Sequence, residues 1–133
     1  MIVSKDKSQA VAFAVEKGSR PNNDYRKIKS VGLDADEIYN VVNRVVPLRL
    51  KDFGSLVNAV APVHVKQDGI VHNVMDKMVH MNGEEQKATA TGASLCSHGL
   101  ALNPSFAGTG YDQSIRIMRT GDTRLYTFEG SIK

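Results

Sequence analysis

His72, Asp76 and His80 stand at i, i+4 and i+8 in the segment DGIVHNVMDKMVHMNG, residues 68–83. Imidazole and carboxylate groups ligate metals and move protons, so this spacing raises the question of a metal centre. On a helix the three share one face, yet the two imidazoles then lie about 12 Å apart along the axis. One ion cannot be held by both. Asp76 with either histidine makes half a site and needs His64 or His98 from elsewhere. No recognised metal spacing is present, so the segment reads as a solvated face on which Asp76 contacts both histidines. In SLCSHG, Cys96 precedes His98 by two residues, and a thiolate beside an imidazole is a nucleophile. A lone cysteine is more often a small buried hydrophobe, and catalytic pairs usually join distant segments. Gly108 to Tyr111, GTGY, lacks the following helix and the lysine of a phosphate loop and reads as a turn. These patterns lean away from an enzyme and imply neither a metal nor a cofactor.

The C-terminal residues carry a different chemistry. In TRLYTF, Arg124, Tyr126 and Phe128 alternate onto one face of a strand, and Arg116 and Arg119 fall on the facing strand or near the turn. Guanidinium groups meet phosphates and aromatic rings stack on bases, so this ribbon is a candidate grip for single-stranded DNA or RNA. Arg20, Arg26, Lys27 and Lys29, with Tyr25 among them, form a second basic stretch able to neutralise phosphates. The competing assignment makes Tyr126 and Phe128 the core face, with Leu125, Ile115 and Ile117 sharing the burial. The resulting expectation is a small nucleic-acid-binding protein. The alternative is a non-catalytic protein-interaction or self-assembling module of viral, plasmid-borne or inhibitory type. The expected partners are nucleic acid, another protein or a second copy, and not a membrane.

Composition sets the frame. A chain of 133 residues is one domain by length and can bury a real core. With no Trp and few Phe and Tyr, that core must be mainly aliphatic. A single Cys excludes an intramolecular disulfide and suits a reducing compartment, hence a cytoplasmic expectation. The first residues do not read as a signal peptide, and no apolar run approaches a membrane span. The net charge of +3 is concentrated at the start: residues 1–33 hold seven Lys or Arg against Asp6, Glu16 and Asp24. Such asymmetry fits an anionic partner, though a solvated basic surface is commoner.

The elements that would position these residues follow from periodicity. Ala10 to Val15 alternates as a strand, Gly18 to Asp24 is a turn, and Tyr25 to Val31 is a basic edge strand. Asp34 with Glu37 forms a capping pair and Leu33 with Ile38 a staple. A helix with Ile38, Val41, Val42 and Val45 as its buried stripe should run to Pro47. A second short helix is expected over about 51–60. A third covers 68–83, where Ile70/Val71, Val74/Met75 and Met78/Val79 pair at helical spacing. Met75, Met78 and Met81 cluster there and read as core lining. Asn82-Gly83 also permits a hairpin turn. Short strands are expected near 88–96 and 99–102, and SIRIMR with TRLYTFEGSI should close a terminal hairpin. The fold class is α+β: one domain over 1–133, an antiparallel sheet of N- and C-terminal strands, with two or three central helices packed on one face.

Overall fold

Alternation of small and large residues builds the centre of the molecule. In the computed structural model, which describes residues 1–15, 17, 26–103, 121 and 123–131, Gln9–Val15 (β2) pairs antiparallel with Thr123–Gly130 (β9). Ala12 lies opposite Tyr126, and Ala10 opposite Phe128. The alanines make room for the rings, and all four are buried. Ile38–Asn43 (β4) pairs with the other edge of β9. Lys87–Thr91 (β7) continues beyond β4, and Ile2–Val3 (β1) lies outside β2. The sheet is therefore antiparallel in the order β1-β2-β9-β4-β7. Two short ribbons flank it: Lys27–Ile28 (β3) with Leu100–Ala101 (β8), and Pro47–Leu48 (β5) with Met81–Asn82 (β6). The helical segments are a 3-10 helix at Leu50–Leu56, α1 at Val57–Val60, α2 at Ile70–Met78 and α3 at Gly92–Ser97.

One face of the sheet carries the core. Ala10, Ala12, Tyr39, Val41, Tyr126 and Phe128 point into it. Leu95 of α3, together with Leu33, Leu100 and Leu102, belongs to the same cluster. The result is a small single domain, mostly antiparallel sheet with few helices. The sheet, not the helices, dominates. The core is less aliphatic than composition suggests, because three of its largest buried side chains are Tyr39, Tyr126 and Phe128.

The expected helix from Asp34 to Pro47 is β4 instead. Ile38, Val41 and Val42 are β-branched and Tyr39 is aromatic, all strand-favouring once neighbours exist on both sides. The cap chemistry is real but closes a turn: the Asp34 carboxylate accepts from the Asp36 N–H at 3.1 Å. Tyr39 then ties two turns together. The Asp34 N–H donates to its hydroxyl at 3.0 Å, and that hydroxyl donates to the Lys7 carbonyl at 2.7 Å. Tyr39→Phe removes both bonds and orphans a part-buried amide. It should cost about 1–2 kcal/mol in urea unfolding, with the m value unchanged. A loss near zero would mean that the hydroxyl is not the tie described. In the turn before β2, hydrogen bonds from Ser4 and Ser8 hold the Asp6 carboxyl below the usual aspartate range.

Other expectations fare unevenly. Strand β2 is where alternation placed it. The basic edge strand shrinks to Lys27–Ile28. The second helix is present but breaks at Gly54, whose φ of 52° ends one helical piece before the next begins. The third helix stops at Met78, and Met81–Asn82 is extended, so Asn82-Gly83 is neither a helix cap nor a hairpin turn between neighbouring strands. Its facing is also reversed. Ile70 is 83% exposed and Met78 76%, while His72 is 1% exposed. The expected strand near 88–96 ends at Thr91, whose hydroxyl accepts from the Ser94 N–H and starts α3. Residues 114–119, the expected partner in the terminal hairpin, lie outside the described residues. Between Tyr126 and Glu129 both edges of β9 are already taken by β2 and β4, so β9 is the middle of the sheet and not half of a free ribbon.

Candidate functional site

The described residues expected to grip nucleic acid divide between the core and the surface. Tyr126 is fully buried, and its hydroxyl donates to the Gln86 side-chain carbonyl at 3.3 Å. A ring in the core cannot stack on a base outside it. Phe128, on the same face, is equally buried. Arg124 is half-buried, and its Nη1 donates to the Asn103 carbonyl at 2.9 Å. Arg26, Lys27 and Lys29 are exposed at or beside β3, in the ribbon separate from the five-stranded sheet, and the Arg26 carbonyl accepts from the Leu102 N–H at 2.8 Å, one residue before the Asn103 that Arg124 bonds. Arg20, Arg116 and Arg119 lie outside the described residues, as do Tyr25 and the GTGY turn.

The histidine constellation also separates. His72 is buried, and its Nδ1 accepts from the Asp68 N–H at 3.0 Å, which places the ring proton on Nε2. That Nε2 has no hydrogen-bond partner. The Asp76 carboxylate accepts from the Lys51 N–H at 3.1 Å, so it anchors the 3-10 helix and is not shared with the histidines. His80 is exposed beyond α2. Cys96 is half-buried in α3, and His98 follows the helix with Nδ1 2.9 Å from the Ser97 hydroxyl. Among the described residues no cluster of three His, Cys, Asp or Glu side chains could hold a metal ion.

The sheet face opposite the core is a continuous surface across the strands. Its composition follows from register. Gln9, Glu129, Asn40 and Thr89 sit side by side on four successive strands, and all four are exposed. Next to this polar row run Val11, Thr127, Val42 and Lys87, with Ile2 of β1 beside Val11. Beyond lie Phe13 and Leu125. Phe13 is 53% exposed, the most exposed aromatic ring among the described residues. The Thr89 hydroxyl donates to the Asn40 side-chain oxygen at 2.8 Å, which orients that amide.

The alternation of β2 does not by itself say which half is buried. Val11, Phe13 and Val15 are the bulkier half of QAVAFAV and look like the buried half. The alternation was plain, but only the rings of β9 and β4 reveal that the alanines point inward.

Fold and face together define a small β-sheet-dominated domain with one packed and one open sheet face. Residues 1–125 match the glycosyl hydrolase family 36 C-terminal domain. The chain belongs to that family. No curated protein matches it closely enough to count as a relative. Membership in a glycosidase-associated family overturns the nucleic-acid-binding expectation and the viral or mobile-element one. The physical reason agrees for the ribbon: its aromatic rings fill the core, and its one described arginine is bonded to backbone. Among the described residues no helix is long and apolar enough to cross a membrane.

Proposed function

We propose that this chain is an accessory domain that serves a glycoside hydrolase without cleaving glycosidic bonds itself. The family match over residues 1–125 carries the reading. Glycoside cleavage uses two carboxyl groups flanking the bond, one kept protonated by an apolar surrounding. The described acids are engaged differently. Every described Asp and Glu is at least partly exposed. Asp34, Asp52 and Asp76 accept backbone N–H groups that hold turns and helices together. Their work is structural.

The expected protein partner is then a hydrolase domain. The α+β description, with helices on one face of the sheet, fits α3, which covers the core. The single Cys fits a reducing location such as the cytoplasm.

Alone, the chain should release no product from α- or β-linked chromogenic glycosides. Fused behind a family 36 hydrolase domain stripped of its own C-terminal domain, it should raise that domain's thermal stability. Turnover by the isolated chain, or a fusion no more stable than the stripped domain, would overturn the reading.

A further inference from the structure

We propose that the open sheet face is a platform for a short oligosaccharide. The sugar would lie across β2, β9, β4 and β7, with ring C–H faces on Phe13 and Leu125 and hydroxyls on Gln9, Glu129, Asn40 and Thr89. The proposal rests on the carbohydrate association of the accessory-domain reading, and adds a ligand and a place.

The chemistry of the face selects the ligand. A pyranose is two-sided: axial C–H groups make it apolar above and below, and hydroxyls make it polar around the rim. An aromatic face has a negative quadrupole that draws such C–H groups, in addition to the dispersion contact. Phe13 offers that ring on a rigid strand, where a ligand meets little loss of backbone freedom. The hydroxyl rim needs donors and acceptors at close, regular spacing, which a sheet provides. Strands are separated by about 4.8 Å, so the four residues of the polar row span about 14 Å, the scale of a short oligosaccharide. From that row to Phe13 along β2 is about 13 Å.

The polar row is also set up in advance. Because the Asn40 oxygen accepts from Thr89, its amide Nδ2 is the group left to donate to a ligand. Glu129, exposed beside it, can accept two hydroxyls in stronger, charge-assisted bonds. Ile2, Val15 and Ile38 are exposed at the margins of the same face, but a protein partner would call for an uncharged centre, since charged groups are depleted from the core of protein interfaces. Here Glu129 lies on the central strand, between Gln9 and Asn40.

The test is an amide chemical-shift titration of the full chain with maltotriose, cellotriose and raffinose. At least one of these should shift amides of β2, β9 and β4 saturably. Phe13→Ala should weaken that binding roughly five- to tenfold, the scale of one ring contact. Asn40→Ala should weaken it as well, and Val60→Ser, on exposed α1, should leave it unchanged. Phe13 is largely exposed, so its variant keeps the fold, and an unchanged far-UV spectrum confirms this. Absence of shifts with all three sugars, shifts confined to other elements, or full binding by the Phe13 variant would each overturn the platform. So would a Phe13 variant that binds no sugar differently but loses the stabilising effect on a fused hydrolase domain; the face would then be a protein interface and the accessory reading would stand. Turnover by the chain, in contrast, overturns the accessory reading whatever the titration shows.

Discussion

Gly92→Ala should destabilise the domain by about 3 kcal/mol or more, among the largest effects of any single methyl group added to it. The added carbon would sit 1.8 Å from the Asp34 carbonyl oxygen, 2.8 Å from the carbonyl carbon and 3.2 Å from a ring carbon of Tyr39. None of these can step aside cheaply. The Gly92 N–H donates to the Glu37 carbonyl at 2.9 Å, and the Ala93 N–H to the Ala35 carbonyl at 3.0 Å. Those two bonds clamp the start of α3 onto the turn before β4. Tyr39 is held by its own two hydrogen bonds and is fully buried. Relieving the clash means breaking the clamp, which would lift Leu95 away from the core it helps to form. Urea unfolding reads the effect as a lower midpoint at similar slope. A variant within about 1 kcal/mol of the parent would show that α3 does not approach the turn this closely.

This clamp explains why part of the fold was legible in the sequence and part was not. Local patterns name β2, helical turns within 51–60 though not their break at Gly54, most of α2 and the strands at β7 and β8, because each is written in neighbouring residues. The helix expected after Asp34 failed for the opposite reason. IYNVVN has both a helical stripe and a strand alternation, and the choice belongs to β9 and β7, which offer pairing edges more than forty residues away. The order of the sheet is invisible for the same reason. Nothing local in TRLYTFEG says that it will be inserted between β2 and β4. The facing of α2 was inverted because the apolar pairs were assumed to meet a core. The helix instead packs by His72 and by the Asp76 bond to Lys51, and leaves Ile70 and Met78 in solvent.

The candidate site shows a subtler form of this limit. Two rows of side chains that look alike in sequence, Phe13 on β2 and Phe128 on β9, have opposite fates. Both strands alternate, but register decides which phase points inward, and register is set by the whole sheet. Reading the C-terminal rings as an exposed grip therefore takes the core-facing phase of β9 for the outward one. The arginines followed the rings in that reading, and Arg124 turns out to support Asn103 instead. On the open side, the polar row crosses four strands whose sequences are otherwise unrelated. Only pairing makes Gln9, Glu129, Asn40 and Thr89 neighbours.

The two phenylalanines supply the sharpest test of this arrangement. Phe128→Ala should cost about 3–5 kcal/mol, the range for a fully buried ring truncated in a core. Its ring lies on the central strand, with Ala10 opposite on one side and Val41 on the other, and no part of it reaches solvent. The alanines that make room for it cannot expand into the space it leaves, so the cavity persists and adds to the lost transfer energy. Phe13→Ala, on the same sheet but facing outward, should cost under about 1 kcal/mol. The comparison removes the usual ambiguity of a single truncation, since residue type, strand environment and assay are shared. Thermal unfolding should show the difference as a drop in Tm of about 10 °C or more for Phe128→Ala and a few degrees at most for Phe13→Ala. Equal losses would mean that both faces of the sheet are covered, and the open platform and the one-sided core would fall together.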